Sequence, residues 1–446
     1  MVIKKAVDLI IKNAAELLTV KGASEKPKTG KELQELDITN NGALAIDGRT
    51  IIDVGTTDYI LDSYAGGTVI DATGQVVMPG FIDPHTHLVF AGSRHSEYEA
   101  KITGKSYSEG HKKGGGIYYT VDCTREASAA ELTEKALKDL DTCLRHGTTT
   151  IEIKSGYGLD RVNELKILEV IKELEKRHPI DIVPTYLGAH AIPEEYQNNR
   201  SGYVNLVKSM LTEVKDKGLA EYCDVFCDEL AFSVSEARDI LQEAKRCGLK
   251  LKLHAEQTGY LGGVELAAEL GAVSADHLDF ICAPEQGRSG WKLVEGHLEK
   301  LAESGVVGVL LPGVTYHLME MVPGSEIVKD FLPATVEHLI NGGVAIALAT
   351  NYNPGSSRTQ SMQAVMEIAA RLYRMNYAQV INASTINAAH AVDRASDIGS
   401  LESGKRADIV IFDCEEHGIL IDSFGVNLID KVIKNGKLVV DGGQLV

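Results

Sequence analysis

The sequence predicts an α/β protein in which a (β/α)8 barrel occupies the middle of the chain and a small β-sandwich domain is built from both chain ends. Both ends carry short alternating strand patterns, punctuated by Gly, Asp and Asn, that the middle lacks. The middle alternates short apolar runs with helical segments of roughly 10 to 15 residues, which is typical of βα units on a parallel sheet. A chain of 446 residues is long enough for one large barrel and a companion domain.

The terminal domain is predicted from residues 1–78 and 393–446. GALAIDGRTIIDVG and TVIDATGQVVMPG alternate near the start, and residues 1–20 alternate like a strand and lack the apolar core of a secretion signal. Near the end, DKVIKNGKLVVDGG contains Asn435 and Gly436, a pair that favours a two-residue hairpin turn. We expect the two strand clusters to pair, which would bring the chain ends together.

The barrel is predicted over residues 79–392, where about eight βα units fit. TTTIEIKSGYG precedes the helical pattern RVNELKILEVIKELEKR, and LKLKLHAEQ precedes GGVELAAELG. A doubly wound open sheet is the alternative, but the sequence contains no GxGxxG or P-loop pattern to support it. Residues 283–297, APEQGRSGWKLVEGH, are expected to form a surface loop between barrel elements.

The composition excludes several classes of partner. The net charge is −18, and an acidic surface disfavours nucleic acid and anionic membranes, because Lys and Arg bind phosphate. No stretch reaches the roughly 18 to 20 apolar residues that cross a bilayer. Seven cysteines, an odd number in a long chain, favour a reducing compartment, so we expect a cytoplasmic protein. Cys223 and Cys227 have no second pair to complete a zinc site and are expected to be ordinary buried thiols.

The strongest chemical motif is FIDPHTH, residues 81–87. His85 and His87 are two apart, so on an extended chain both imidazoles face the same side. Imidazole nitrogen is a preferred ligand of Zn and Fe. The motif ends the apolar strand that opens the predicted barrel, and barrel active sites lie at the C-terminal ends of strands. We therefore predict that these two histidines bind a metal.

Three more histidines end comparable apolar runs. His190 ends TYLGAH, His254 ends LKLKLH and His277 ends AVSADH. A single histidine at a strand end is more often a hydrogen-bonded core residue. Three of them, each followed by a helical segment, indicate side chains that converge on one site at the barrel mouth.

Several segments together resemble the imidazolonepropionase family of the amidohydrolase superfamily. In chain order they are PGFIDPHTHLVFAGSR, GGGIYYTV, IEIKSGYGLD, YLGAHAIPEEY, KLHAEQ, SADHL and NPGSS. The resemblance covers most of residues 40–445. It implies a TIM-like barrel, a β-sandwich from both chain ends, one Zn or Fe ion, a small-molecule substrate and a homodimer. It also implies hydrolysis of the cyclic amide 4-imidazolone-5-propanoate to N-formimidoyl-L-glutamate in histidine degradation.

The resemblance also assigns site residues. The family's metal ligands correspond to His85, His87, His254 and Asn351, and its catalytic positions to His277, Gln257 and Asn351. Its substrate-binding positions correspond to Arg94, Tyr107, Tyr157, His190, Gln257, Asn353, Gly355 and Ser356. Lys154 is a strand residue near the same face. It could correspond to a lysine that bridges two metals in binuclear relatives, but the family that the chain resembles has one metal, which favours a structural or supporting role.

These assignments make physical sense. Arg94 offers a planar, permanently charged fork for the propionate group of the substrate, against the alternative of a solvated arginine. The turn in NPGSS presents backbone N–H groups that are expected to bind the same carboxylate, against the alternative of a tight turn with no ligand. Tyr157 and His190 are expected to supply hydrogen bonds to the ring, against the alternative that they bond only to neighbouring backbone. His277 is expected to orient the attacking water or to polarise the scissile carbonyl.

One residue departs from the family pattern. The segment ALATNYNPG places Asn351 where the superfamily has an aspartate that contacts the metal and moves a proton. An amide cannot accept a proton as a carboxylate does. Asn351 is therefore an inactivating change, or a nearby group such as Glu256 or His277 moves the proton, or the chain acts on something else. The alternatives are a ring-opening hydrolase or deaminase acting on another small carboxylated heterocycle, and a catalytically impaired binding relative.

Overall fold

The computed structural model describes residues 4–103, 115–284, 291–293, 296–318 and 325–446. The strands of these ranges, numbered in chain order, are β1 Lys5–Leu18, β2 Ile38–Asp47, β3 Thr50–Thr56, β4 Tyr64–Asp71, β5 Val76–Pro79, β6 Phe81–Asp83, β7 Thr148–Lys154, β8 Asp181–Ala189, β9 Tyr222–Cys227, β10 Lys250–Ala255, β11 Ser274–His277, β12 Cys282–Pro284, β13 Trp291–Leu293, β14 Val307–Leu310, β15 Ile346–Leu348, β16 Ile409–Phe412, β17 Ile429–Lys434, β18 Lys437–Asp441 and β19 Gln444–Leu445. The helices are α1 Thr57–Ser63, α2 His95–Ile102, α3 Ile117–Glu126, α4 Ala129–Arg145, α5 Arg161–Arg177, α6 Arg200–Asp216, α7 Val234–Arg246, α8 Gly263–Leu270, α9 His297–Ser304, α10 Pro312–Leu318, α11 Ser325–Asn341, α12 Met362–Tyr373, α13 Tyr377–Ser384, α14 Ile386–Ala391 and α15 His417–Asp422.

The middle of the chain forms a barrel. β6, β7, β8, β9, β10, β11, β14 and β15 lie side by side in one eight-stranded parallel sheet, in that order. Just beyond β6 and β15 the two edges meet, because the N–H of Asn351 donates to His85 O at 3.0 Å and the N–H of His87 donates to Tyr352 O at 2.9 Å. The predicted (β/α)8 fold is confirmed, and the open doubly wound sheet is not formed by these strands.

The barrel helices follow from their sequence pattern, as α4 illustrates. Ser128 precedes the helix, and its side chain and that of Glu131 form a reciprocal capping box at the first turn. Apolar residues then recur three and four positions apart, so one face of the helix packs on the sheet. The buried residues on that face are Leu132, Thr133, Ala136, Leu140, Cys143 and Leu144.

The two chain ends share a second sheet of nine strands. Its order is β19-β18-β17-β16-β5-β1-β2-β3, with β4 paired to β1, so β5 and β16 join the N-terminal and C-terminal parts. Along β16 the side chains alternate, with Ile409 and Ile411 in the core of this domain and Val410 and Phe412 in the core shared with the barrel. The predicted pairing of the chain ends is confirmed. The domain boundaries at 78/79 and 392/393 stay a prediction.

Local predictions in the terminal domain also hold. Asn435 and Gly436 both have positive φ angles, 52° and 75°, and lie between Lys434 and Lys437, which pair across the β17–β18 hairpin. In the barrel domain, residues 283–297 were expected to form a surface loop, but the described residues of this segment include strand residues of β12 and β13, which pair antiparallel. Residues 285–290 and 294–295 lie outside the described residues. None of the described helices is long and apolar enough to span a membrane. Cys223 and Cys227 are buried free thiols, as predicted.

Candidate active site

Five histidines that are far apart in the chain meet at one end of the barrel. His85 and His87 follow β6, and His190 follows β8. His254 lies in β10, and His277 is the last residue of β11. Because all eight strands are parallel, their C-terminal ends face the same mouth of the barrel. The structure therefore brings together the histidines that the sequence placed at strand ends.

The ring nitrogens of these histidines crowd around one point. His85 Nε2 is 3.3 Å from His87 Nε2. One potential ligand nitrogen from each of His85, His254 and His277 lies within 4.8 Å of the others. The His190 ring stacks on the His87 ring at a centroid distance of 4.8 Å. Nitrogens from several strands that face each other at this spacing are suited to share one cation.

Four of these imidazoles, those of His85, His87, His190 and His277, are neutral at ordinary pH. Burial lowers the pKa of His85, His87 and His277 well below the usual range, and neighbouring cationic groups lower it further. Burial likewise lowers the pKa of His190 to about 3, and its Nδ1 lies 2.9 Å from Gly156 O, an acceptor that fixes the ring proton on Nδ1. A neutral imidazole retains a lone pair on its other nitrogen, which is the form that binds metals.

Asn351 lies where the barrel closes, beside His85. Its side chain is buried, and its backbone adopts the left-handed conformation with φ of 50°, which asparagine tolerates better than most residues. Among the described residues, neither Asn351 Oδ1 nor His254 Nε2 has a hydrogen-bond partner. Buried polar atoms without partners are costly, and a cation that accepted both as ligands would remove that cost. The residues present therefore fit a metal ion.

Two aspartates behind the histidines were missed by the sequence analysis. Asp276 Oδ2 is 2.5 Å from His85 Nδ1, and Asp224 Oδ2 is 3.0 Å from His254 Nδ1. Carboxylates in this position orient metal-binding imidazoles and raise their basicity. The only signal in the sequence was a charged residue inside an apolar strand, in CDVFC and SADH.

Lys154 lies beneath the histidines, fully buried at the end of β7. Its Nζ is 2.8 Å from Glu152 Oε1 and 2.8 Å from Asp224 Oδ2. Burial alone would lower the pKa of Lys154, but Asp224 and Glu152 outweigh it and the net pKa is raised. Lys154 is therefore an ammonium, which has no lone pair to offer a metal.

Arg94 forms an ion pair with Glu97 and lies close enough to Tyr157 to affect its pKa. Its Nε and Nη2 donate to Glu97 Oε2 at 3.0 and 2.9 Å. The guanidinium also lies against Gly355, where an added Cβ would be 2.2 Å from Arg94 Nη1. Tyr157 is buried with its ring 5.3 Å from the His190 ring, and burial raises the pKa of its hydroxyl while Arg94 opposes that shift.

In the NPGSS turn, two backbone N–H groups are bonded to a side chain of the turn itself. Asn353 Oδ1 accepts from the N–H of Gly355 at 2.7 Å and from the N–H of Ser356 at 2.8 Å, and Asn353 Nδ2 donates to Asn351 O at 2.7 Å. This corrects the expectation that these N–H groups bind a substrate carboxylate, because the asparagine side chain already occupies them. Asn353 instead fixes the loop that carries Gly355 against Arg94.

Glu256 is engaged in a structural role. Its carboxylate accepts hydrogen bonds from the backbone N–H groups at the start of α8, at distances of 2.6, 3.1, 2.7 and 3.2 Å from Leu261, Gly262, Gly263 and Val264. Of the two groups proposed to replace the missing aspartate, His277 is therefore the better placed, with its Nδ1 3.9 Å from Asp279 Oδ2.

Gln257 is half-buried next to Glu256. Tyr107 lies outside the described residues.

Comparisons with known proteins agree with this architecture. The adenosine deaminase from Xanthomonas campestris with bound zinc has a TM-score of 0.65 at 18% identity and covers 100% of this chain and 95% of its own. A. niger ochratoxinase has a TM-score of 0.69 at 19% identity and covers 98% and 96%. At these identities the two structures are similar in fold alone.

Sequence comparison is more specific. Residues 76–439 match the amidohydrolase family. The imidazolonepropionase of Geobacillus thermodenitrificans (strain NG80-2) is 45% identical over 442 residues, covering 98% of this chain and 99% of the relative. That of Shouchella clausii (strain KSM-K16) is 44% identical over 442 residues, covering 98% and 94%. The chain belongs to the amidohydrolase family and, within it, to the imidazolonepropionases.

Proposed function

We propose that this protein hydrolyses the cyclic amide 4-imidazolone-5-propanoate to N-formimidoyl-L-glutamate, a step of histidine degradation, with one bound metal ion. The observation that carries the proposal is the cluster of histidines at the barrel mouth, together with the cationic fork of Arg94 near Tyr157, whose ring lies 5.3 Å from the His190 ring. This pairs a metal-binding site with a group that recognises a carboxylate. The name shared by the relatives supports the same substrate.

The metal ligands in this proposal are His85, His87, His254 and Asn351, and the metal is Zn or Fe, since imidazole suits both. A metal ion held by these residues would supply Lewis-acid chemistry, which polarises a carbonyl and makes water more acidic. With Asn351 in the set, all four ligands are uncharged. The ion is therefore held more weakly than in a site that includes a carboxylate.

Arg94, Tyr157 and His190 bind and orient the substrate. Arg94 presents its guanidinium to the propionate group, and Glu97 fixes the orientation of that guanidinium. His190 keeps its proton on Nδ1, facing Gly156 O, so its Nε2 accepts a hydrogen bond from a ring N–H. Tyr157 retains its hydroxyl proton, because burial raises its pKa, and donates a hydrogen bond to the ring.

Proton transfer falls to His277 in this proposal. Asn351 cannot accept a proton, and the Glu256 carboxylate caps a helix. His277 accepts the proton that the attacking water loses and passes it to the ring nitrogen as the C–N bond breaks. Gln257 is neutral and acts by hydrogen bonding to the substrate. Asn353, Gly355 and Ser356 hold the loop that shapes the carboxylate end of the pocket.

Asn351 favours a second candidate, a relative that binds its ligand but turns it over slowly. Losing a general base typically lowers rates by about 100- to 10,000-fold. A slow enzyme and a different substrate are distinguishable, because only the latter gives rapid turnover of another carboxylated heterocycle.

The test is an assay of ring opening with metal content measured on the same sample. We expect about one Zn or Fe per chain, loss of the imidazolone chromophore and formation of N-formimidoyl-L-glutamate by mass spectrometry. Arg94→Ala is the matched variant, and it should retain the metal while losing affinity for the imidazolone. Bound metal with turnover of a different ring in a substrate panel would contradict the proposed substrate. A purified protein that takes up no metal would favour the impaired relative.

The proposal includes a cytoplasmic homodimer. The odd number of cysteines and the free thiols among the described residues support a reducing compartment. Light scattering coupled to gel filtration would give the mass of the assembly, and a single-chain mass of 48.2 kDa would contradict a dimer.

A further inference from the structure

Lys154 connects the two aspartates that face the metal-site histidines. Its Nζ is 2.8 Å from Asp224 Oδ2 and 3.6 Å from Asp276 Oδ2, although these aspartates lie on two different strands, β9 and β11. All three side chains are fully buried. One ammonium therefore sits between two carboxylates that would otherwise repel each other at low dielectric.

Each of these carboxylates faces one histidine on the Nδ1 side. Asp276 Oδ2 is 2.5 Å from His85 Nδ1, and Asp224 Oδ2 is 3.0 Å from His254 Nδ1. Asp224 Oδ1 also accepts the backbone N–H of His254 at 3.2 Å. Asp276 forms a hydrogen bond with His85, and a carboxylate there fixes the proton on Nδ1 and leaves the Nε2 lone pair for a cation. Asp224 Oδ2 contacts His254 Nδ1 at ion-pair distance without hydrogen-bond geometry, so that contact is electrostatic. The positions of the two aspartates thus decide which way the two rings face.

Further contacts hold the same arrangement in place. Asp276 Oδ1 accepts from Ser274 Oγ at 2.6 Å, and Ser274 Oγ in turn accepts from Lys252 Nζ at 3.0 Å. Lys154 Nζ donates to Glu152 Oε1 at 2.8 Å, and Glu152 also accepts from the hydroxyl of Thr185. Lys154 is the group in this network that touches both aspartates.

We infer that Lys154 is a positioning residue of the metal centre, which holds Asp224 and Asp276 where each orients one metal-binding histidine. The inference rests on the proposed function, because it assumes that His85 and His254 bind the metal. In this role Lys154 acts through its positive charge and does not itself bind the metal. Removing the ammonium frees both carboxylates to move apart, and both imidazoles lose their fixed orientation.

The test is the affinity of the full chain for Zn²⁺ alone, measured by competition with a chromophoric chelator. Lys154→Met should weaken Zn²⁺ binding by about 10- to 100-fold, the effect typical of groups that support metal ligands. The control is Lys434→Met, because Lys434 is equally buried and lies 2.6 Å from both Asp181 and Asp408 in the terminal sheet. It should leave Zn²⁺ affinity within about twofold. Unchanged affinity in Lys154→Met, or an equal loss in both variants, would overturn the inference.

A second pair of variants covers the case in which Lys154→Met does not fold, since it leaves buried carboxylates unpaired. Asp276→Asn and Asp224→Asn keep the size of the side chain and an oxygen acceptor but remove the charge. Each should weaken Zn²⁺ binding about tenfold and change the visible absorption spectrum of the Co²⁺-loaded protein. Native affinity and a native Co²⁺ spectrum in both would contradict the inference.

These measurements need no substrate, so the two proposals fail separately. If the unmodified chain binds Zn²⁺ but does not open the imidazolone, the proposed reaction is wrong, and the comparison of variants still decides the role of Lys154. If the chain is active and Lys154→Met binds Zn²⁺ normally, the role of Lys154 alone is wrong.

Discussion

Asp276 and His85 are 191 positions apart in the chain, yet Asp276 Oδ2 lies 2.5 Å from His85 Nδ1. The contact is buried and joins the C-terminal ends of two barrel strands, β6 and β11. It turns Nε2 of His85 toward His87. The candidate metal site therefore depends on a pair of residues that no local sequence pattern connects.

Replacing His85 should remove the metal and with it the activity. His85→Ala deletes an imidazole that lies at the centre of the cluster, so we expect metal content to fall to a small fraction of the native value and ring opening to be lost. His417→Ala is the control, because His417 pairs with Glu16 in the terminal domain, away from the site. Metal content by atomic emission and turnover would be measured on both. Full turnover by His85→Ala would exclude it as a ligand.

Restoring a carboxylate at position 351 should increase the rate. Asn351→Asp adds an anionic ligand and a proton acceptor, so hydrolysis of the imidazolone should rise at least about tenfold, from the usual contribution of a general base. Zn²⁺ binding should tighten as well. Asn198→Asp adds the same charge at an exposed turn and should change neither the rate of hydrolysis nor the affinity for Zn²⁺. No gain in kcat for Asn351→Asp would contradict this prediction, and it would mean that a carboxylate at position 351 adds nothing to the proton transfer performed by His277.

A methyl group at Gly355 should displace Arg94. The added Cβ would lie 2.2 Å from Arg94 Nη1, and the flexible guanidinium would move away from the turn. Gly355→Ala should therefore raise KM by about tenfold or more, corresponding to 1.4 kcal/mol of lost binding, with little change in kcat or Tm. Arg94→Ala and the double variant, together with the unmodified protein, complete a double-mutant cycle. If the two effects simply add, Gly355 does not act through Arg94.

Acid should weaken the contact between α6 and α7. Glu236 accepts from Arg200 Nη2 at 2.8 Å and from the N–H of Ser233 at 2.9 Å. Partial burial raises the pKa of Glu236, but the hydrogen bonds from Arg200 and Ser233 outweigh it and the net pKa is lowered. Because the pKa of Glu236 is lower in the folded state, the ionised carboxylate stabilises the fold at pH values above its unfolded-state pKa of about 4.5. This stabilisation is lost as the pH falls through the folded-state pKa.

Glu236→Gln should therefore reduce the free energy of unfolding by about 1 kcal/mol or less at pH 7, and by progressively less below about pH 4.5. Urea midpoints at pH 7, 5 and 4 would show the trend. Glu229→Gln removes a charge at an exposed position on the preceding loop and serves as the comparison. A loss for Glu236→Gln that is constant over this range would mean that its hydrogen bonds do not depend on the ionised carboxylate.

The sequence by itself determined the architecture and much of the histidine cluster. Apolar runs alternating with helical patterns predicted the barrel, and the hairpin at Asn435 and Gly436 followed from the left-handed preference of that pair. These features are local, so a linear sequence displays them. Because parallel strands end at one mouth of a barrel, His85, His254 and His277 were expected to converge once each was placed at a strand end.

Only the tertiary structure decided what surrounds those histidines. The contact of Lys154 with Asp224 and Asp276, the capping role of Glu256 and the use of the Gly355 N–H by Asn353 depend on which atoms meet in space. A charged residue inside an apolar strand shows only that it needs a partner, because burial without one is costly. The partner is set by strand order and register across the closed sheet, and those arise from packing of the whole barrel.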